Sequence, residues 1–175
     1  IDPGSRVLAL GGEQLGASGA HLLADYRGLT VTGLTEALSV LPRSLLTYRR
    51  LVRRARTDRP DVFVAIDFPD FNFRLAAAMR RLAIPVVYYI CPQVWAWRRS
   101  RLRTLKRLVD RALVIFPFEE AIYREQAIPV TFVGHPLLDL ARATASRAEF
   151  LAALRLDPHR PTVALLPGSR PNEIR

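Results

Sequence analysis

Short apolar runs recur along the chain, and each one is followed by a loop and then by a helical stretch. The runs occupy residues 6–10, 62–66, 86–90, 112–116, 130–133 and 162–166. Several are rich in valine and isoleucine and lack polar alternation, a pattern typical of strands covered on both faces of a sheet. The helical stretches occupy residues 33–41, 43–57, 72–82, 98–110, 119–126 and 146–154. This alternation predicts an α/β fold with a parallel sheet and right-handed crossovers.

The composition limits the classes of function open to the chain. Its 175 residues are enough for a domain with a hydrophobic core. No apolar run approaches the roughly 20 residues needed to span a bilayer. The single cysteine, Cys91, excludes a disulfide within the chain, and three scattered histidines give no metal-ligand spacing. The formal charge of +10 favours anionic partners: nucleic acid, an anionic membrane or phosphorylated substrates.

The loops that follow the predicted strands are the first place to look for chemistry, because ligands of parallel α/β sheets bind at the carboxyl ends of the strands. Asp67 directly follows the run 62–66 and lies too early to cap the next helix. A desolvated carboxylate at such a position can act as a general base, so we predict Asp67 as a catalytic residue. Asp70 and Asn72 either cap that helix or contact a substrate.

Both tryptophans lie in the loop after the run 86–90, and the most basic segment of the chain follows them. That segment contains Arg98, Arg99, Arg101, Arg103, Lys106 and Arg107. Tryptophan packs against sugar faces or lies at membrane interfaces, and arginine binds phosphate through a fork of donors. The combination predicts an anion-binding site with Trp95 and Arg98 as substrate contacts, although each residue alone is explained as well by core packing or a solvated helix face.

Two further loops carry candidate contacts. His135 follows the run 130–133 and could donate a hydrogen bond to a ligand, although a lone histidine is more often structural. After the run 162–166 comes a Pro-Gly-Ser-Arg turn that opens a predicted helix, and free N–H groups at a helix start attract phosphate. The candidate phosphate contacts there are Gly168, Ser169, Arg170 and Glu173, with Arg170 as a charged clamp.

Leucines recur at helical spacing on either side of Pro42. The stripe consists of Leu34, Leu38, Leu41 and Leu45 and continues through Tyr48 and Val52. Arginines border it between Arg43 and Arg59. An apolar stripe with a basic border suits a helix on an anionic membrane, whereas packing on the sheet is the commoner alternative.

Five motifs, in this order and spacing, resemble those of the lipid-A-disaccharide synthase family. They read PDVFVAIDFPDFNFRLA, PQVWAWRRSR, FPFEEAIY, FVGHPLLD and LLPGSRPNEI, and they begin at residues 60, 92, 116, 132 and 165. The resemblance implies an inverting glycosyltransferase with two Rossmann-like domains, the GT-B arrangement. It assigns residues 1–157 to the acceptor-binding domain and residues 158–175 to the start of the UDP-binding domain.

The resemblance also implies a reaction. The family transfers 2,3-diacylglucosamine from its UDP form to 2,3-diacylglucosamine 1-phosphate and releases UDP, with no metal or other cofactor required. Asp67 then matches the base for the acceptor hydroxyl, and Arg170 with its turn meets the UDP phosphates. The leucine stripe matches the part that meets acyl chains and membrane. The implied location is the cytoplasmic face of the inner membrane of Gram-negative bacteria, as a peripheral protein.

The sequence departs from the family pattern at both ends. The first strand of the family, with its Gly-Glu-(Ala/Thr)-Ser-Gly-Asp loop, has no counterpart here, and neither does most of the UDP-binding domain. The chain is therefore expected to be a fragment that is inactive alone. Two alternatives stay open: another sugar transferase or epimerase of the same two-domain plan, and a basic α/β module that binds nucleic acid. Clustering of the tryptophans in one loop argues against the nucleic-acid module, because a stacking platform interleaves aromatic and basic residues.

Overall fold

The computed structural model describes residues 4–28 and 34–168, and within these ranges the side chains of residues 28, 34–41 and 97 are left out of the description. The chain divides into two compact units, one ending at His135 and the other beginning at Pro136. The prediction of a domain boundary at residue 157 stays a prediction. Among the residues described, no helix is both long and apolar enough to cross a membrane.

The first unit alternates strands and helices. Its elements are β1 (Leu8–Gly11), α1 (Glu13–Ala17), β2 (His21–Asp25), a 3-10 turn (Tyr26–Gly28), α2 (Leu34–Asp58), β3 (Phe63–Ile66), α3 (Pro69–Arg81), β4 (Val86–Tyr89), α4 (Val94–Trp97), α5 (Ser100–Leu108), β5 (Arg111–Val114), α6 (Pro117–Glu125) and β6 (Val130–Phe132). Strands β1 and β2 pair in parallel, and β3, β4, β5 and β6 form a parallel sheet in that order. The predicted Rossmann-like α/β class is confirmed.

The core lies between the sheet β3–β6 and the helices that connect its strands. Helix α3 packs on β3 and β4, and α6 packs on β5 and β6. Across the sheet, the central row in register is Ala65, Tyr88, Ala112 and Val130, and each of these residues is buried. The two alanines leave room for the tyrosine ring between them, since buried side chains must fill space at crystal-like density.

The opposite face of this sheet is only partly covered, which differs from the expectation of two buried faces. Val64 and Ile66 on β3 are 48% and 52% exposed, and Thr131 on β6 is exposed as well. The apolar runs on these strands lack polar alternation, but the packed helices α3 and α6 cover the face that carries Ala65 and Val130. A hydrophobic run thus predicted the strands correctly without revealing what lies on each face.

Pro42 does not separate two helices, as the sequence pattern had predicted. Helix α2 continues through it from Leu34 to Asp58. Proline removes one N–H donor and crowds the preceding turn, but a helix can bend and continue if packing supports it. Tyr48, Leu51 and Val52 supply that support by packing against the core.

The second unit contains the short helices α7 (Leu137–Leu140) and α8 (Arg147–Ala153). Helix α8 matches a predicted helix and is capped by Ser146, whose hydroxyl accepts a hydrogen bond from Glu149 N–H. The predicted strand at residues 162–166 is wrong. Val163, Leu165 and Leu166 are 85–87% exposed, and within the described part of the chain no strand pairs with them. The backbone groups of a strand need a ladder partner, so an apolar run alone does not make a strand.

We expect the packing described here to govern stability. Leu105 on α5 is completely buried, whereas Leu46 on α2 is 65% exposed. Replacing Leu105 with alanine leaves a cavity, so the free energy of unfolding should fall by about 2–5 kcal/mol. The same change at Leu46 should cost less than about 0.5 kcal/mol. Urea unfolding followed by circular dichroism measures both, and equal losses would contradict this core.

Candidate functional site

A strained turn presents Asp67 at the carboxyl end of β3. Asp67 and Phe68 both adopt left-handed backbone, with φ of 44° and 45°. This conformation costs a residue other than glycine about 1–3 kcal/mol and persists where the surroundings hold it. Helix α3 begins at Pro69, so the chain turns at once from strand to helix. Asp67 is exposed, and the burial that its prediction assumed is not seen in the part of the chain described.

Side chains from two other elements hold this turn. The amide nitrogen of Asn72 donates to the carbonyl oxygens of Ile66 at 3.1 Å and Asp67 at 2.7 Å. The Tyr88 hydroxyl donates to the Asp67 carbonyl at 2.8 Å. Asn72 is 8% exposed, so its amide nitrogen serves the turn. The sequence did not single out Tyr88, whose one visible signal is a hydroxyl inside an apolar strand.

Asp70 and Arg101 connect the starts of α3 and α5. Arg101 Nη2 donates to Asp70 Oδ1 at 2.5 Å, and the guanidinium lies 5.7 Å from the centre of the Phe73 ring. The Asp70 side chain is 75% exposed, while Arg101 is largely covered. This ion pair brings the basic segment after the tryptophan loop against the helix that follows Asp67.

Trp95 turns its polar edge inward. Its indole N–H donates to Glu119 Oε1 at 3.0 Å, and its half-buried ring packs against the core. Glu119 is 1% exposed, and its other oxygen accepts a hydrogen bond from the Phe116 N–H at 3.1 Å. The N–H of Trp95 is therefore engaged by Glu119, and the partly exposed ring is the part of the side chain left for a ligand. The sequence reveals Glu119 only as an acidic residue in the first turn of a helix.

Aromatic contacts join the segments that follow β4, β5 and β6. Trp95 meets Phe118 edge-on at 5.3 Å, Phe118 stacks on Phe116 at 5.6 Å, and Phe116 lies 5.7 Å from His135 between ring centres. We call these four residues the aromatic ridge. Phe118 is 53% exposed and is the most exposed of the four, because the other three are partly buried. The structure thus brings the predicted residues Trp95 and His135 into one chain of contacts.

Comparison with known proteins decides the family. A family model described as lipid-A-disaccharide synthetase matches residues 2–175. Lipid-A-disaccharide synthases of Koribacter versatilis, Syntrophus aciditrophicus and Myxococcus xanthus are 47%, 49% and 45% identical over 97%, 99% and 99% of the chain. The chain belongs to the lipid-A-disaccharide synthase family. It spans 44–45% of the length of these three relatives.

The structure describes two of the remaining predicted contacts, Arg98 and Gly168. Arg98 is exposed at the end of α4, and Gly168 is exposed with a φ of 116°. Ser169, Arg170 and Glu173 lie outside the described residues.

The predicted leucine stripe is described only in part. Leu34, Leu38 and Leu41 lie in α2, but the structure does not describe their side chains. Leu45 is 48% exposed. Within residues 4–28 and 34–168, no group of three His, Cys, Asp or Glu side chains could hold a metal ion.

Cys91, Tyr88 and Tyr123 are buried, and their thiol and hydroxyl groups keep their protons at neutral pH. Burial raises the pKa of the Cys91 thiol from 9.0 to about 12. Burial likewise raises the pKa of the Tyr88 and Tyr123 hydroxyls above their ordinary value of 10.0. The thiolate is the reactive form of cysteine, so Cys91 is a packing residue and not a nucleophile.

The hydrogen bond from Tyr88 should be measurable in stability. Tyr88→Phe removes one buried oxygen and withdraws a donor from the Asp67 carbonyl, so the free energy of unfolding should fall by about 1 kcal/mol. The matched control is Tyr26→Phe, because Tyr26 is 47% exposed. Denaturant titration compares the two, and an unchanged midpoint for Tyr88→Phe would show that the turn does not depend on this bond.

Alkaline pH should destabilise the fold through the same buried acids. Between pH 9.0 and about 12 the unfolded Cys91 loses its proton while the folded one keeps it. The free energy of unfolding is therefore unaffected by Cys91 below pH 9.0 and declines above it, by about 1.4 kcal/mol per pH unit. Unfolding curves taken across this range should show a shallower decline for Cys91→Ala. An identical pH dependence in that variant would contradict the assignment.

Proposed function

We propose that the full-length protein containing this segment is a lipid-A-disaccharide synthase. It transfers 2,3-diacylglucosamine from its UDP form to 2,3-diacylglucosamine 1-phosphate and releases UDP. The observation that carries the proposal is the family membership of the chain together with an exposed carboxylate, Asp67, on a held turn at the ligand-binding edge of the sheet. Residues 1–157 then form the acceptor side of a GT-B enzyme, and residues 158–175 open its UDP-binding domain.

Asp67 acts as the general base in this proposal. Its carboxylate takes the proton from the acceptor hydroxyl while that oxygen bonds to the anomeric carbon of the donor sugar. The bond between the anomeric carbon and the diphosphate oxygen breaks, and UDP leaves with inversion of configuration at the anomeric carbon. The negative charge on the departing diphosphate is the largest charge to develop. We therefore assign Gly168, Ser169, Arg170 and Glu173 to the nucleotide side, with backbone amides and the Arg170 guanidinium as the groups that stabilise this charge.

The acceptor contacts are proposed on the exposed parts of the site. Arg98, at the end of α4, suits the acceptor phosphate, and the formal charge of +10 attracts such anionic substrates. Asp70 lies in the first turn of α3 beside the base, and His135 lies at the far end of the aromatic ridge. Trp95 contributes its ring, and Asn72 contributes through the turn. These polar and aromatic contacts fit a phosphorylated sugar better than a nucleic acid.

Membrane attachment is proposed through α2. Leu45 and its neighbour Leu46 are 48% and 65% exposed, and arginines flank them in the sequence. Exposed leucines with arginines around them suit the surface of an anionic membrane. The protein would then act as a peripheral enzyme on the cytoplasmic face of the inner membrane, where acylated substrates are available.

Transfer by the full-length protein tests the proposed function. In Asp67→Asn the amide cannot accept the acceptor proton, so the rate of transfer should fall by about 10²–10⁴-fold while the fold is kept. The matched control is Asp61→Asn, because Asp61 is an exposed carboxylate just before the same strand. Product formation from UDP-2,3-diacylglucosamine is followed by chromatography.

Two results would count against this proposal. Near-normal transfer by Asp67→Asn removes Asp67 as the base. A well-folded full-length wild type that forms no disaccharide refutes the activity itself, whatever the variants do.

A further inference from the structure

Glu119 is an acidic side chain in the interior of the first unit. It is 1% exposed, and its two oxygens accept N–H groups from Trp95 and Phe116 at 3.0 and 3.1 Å. Removing a carboxylate from water carries a free-energy cost of several kcal/mol unless hydrogen bonds replace its hydration. Two hydrogen bonds replace this hydration. One comes from the Phe116 N–H at the start of the same helix, and the other comes from the Trp95 indole in α4.

Helix capping alone does not explain why Glu119 is buried. In α8, Glu149 makes the same kind of bond, accepting the Ser146 N–H at 2.7 Å, and it remains exposed. The capping contact of Glu119 could therefore be made at the surface. What the buried position adds is the bond to the Trp95 indole, which lies 24 residues earlier in the chain.

Helix α6 holds the tryptophan loop at a second point on the same face. The Tyr123 hydroxyl donates to the Pro92 carbonyl at 3.3 Å, and Tyr123 follows Glu119 by one helical turn. Trp95 in turn supports Phe118 edge-on, and its carbonyl accepts a hydrogen bond from Arg99 at 3.3 Å. The buried face of α6 thus sets the position of the loop that carries the basic residues.

We propose that Glu119 is a positioning residue for the acceptor. Its carboxylate holds the Trp95 indole, and this bond keeps the exposed Phe118 ring and the neighbouring arginines in the geometry that receives a phosphorylated sugar. Because contacts within the protein already hold the aromatic ridge, substrate binding loses less side-chain freedom than it would with mobile rings. The class of substrate rests on the proposed function, whereas the link between Glu119 and Trp95 does not.

The first experiment measures the link without activity. In full-length protein labelled with ¹⁵N, hydrogen exchange of the Trp95 indole N–H is compared between wild type, Glu119→Leu and Glu119→Gln. Leucine removes both acceptors and glutamine removes one, so exchange should accelerate by about tenfold or more in the leucine variant and by less in the glutamine variant. The control is Glu125→Gln on the exposed side of the same helix, which should leave exchange unchanged.

The second experiment measures the consequence for the substrate. Loss of positioning should raise the KM for the acceptor by about tenfold in Glu119→Leu and change kcat by less than about twofold. A purely structural role would lower the unfolding midpoint and leave KM alone. Trp95→Phe removes the same bond from the other partner, so it should raise KM as well. Glu119→Leu combined with Trp95→Phe should be no worse than the more affected single variant.

Each outcome decides the matter. Three results would overturn the proposal. They are indole exchange in Glu119→Leu as slow as in the wild type, a KM of Glu119→Leu equal to that of Glu125→Gln, and additive effects on KM in the double variant. If Glu119→Leu does not fold, Glu119→Gln and Trp95→Phe carry the same comparisons. Absence of transfer in the wild type refutes the proposed function by itself, and the exchange measurement still shows whether Glu119 holds Trp95.

Discussion

Tyr88 joins the packed core of the sheet to the turn that carries Asp67. Its ring lies between Ala65 and Ala112 in the central row and is fully buried. Because packing already holds the ring, its hydroxyl reaches the Asp67 carbonyl at 2.8 Å with little further loss of side-chain freedom. The left-handed backbone at Asp67 and Phe68 depends on such support. The exposed edge of the site thus takes its geometry from the buried middle of the sheet.

The sheet β3–β6 could be predicted from the sequence because its strands are short, apolar and separated by helices. Runs 62–66 and 86–90 each contain an observed strand. Strand β2 escaped prediction, since His-Leu-Leu-Ala-Asp has polar ends and no valine or isoleucine. The run 162–166 failed for the opposite reason: it has the composition of a strand but no partner within the described residues. Strand formation depends on a neighbour, and a local pattern does not report one.

The candidate site divides in the same way between local and distant information. Asp67 could be found from its place after a strand, and Trp95 from its place in a basic loop. Tyr88 and Glu119 act on residues 21 and 24 positions away, so their roles appear only when the fold brings the partners together. Glu119 has the sequence appearance of an ordinary helix cap. Positioning residues of this kind are buried and polar, and their partners are needed to recognise them.

The order of the strands gives the site a direction. Because β3, β4, β5 and β6 are neighbours in that order, their following loops place Asp67 at one end of the edge and His135 at the other. Three strand spacings of about 4.8 Å separate these ends by roughly 14 Å. Under the proposed function, an acceptor lying along the edge meets the base at β3 and the aromatic ridge beyond it. The aromatic ridge then selects which end of the acceptor sugar reacts, because a sugar bound in the reverse direction would present no hydroxyl to the Asp67 carboxylate.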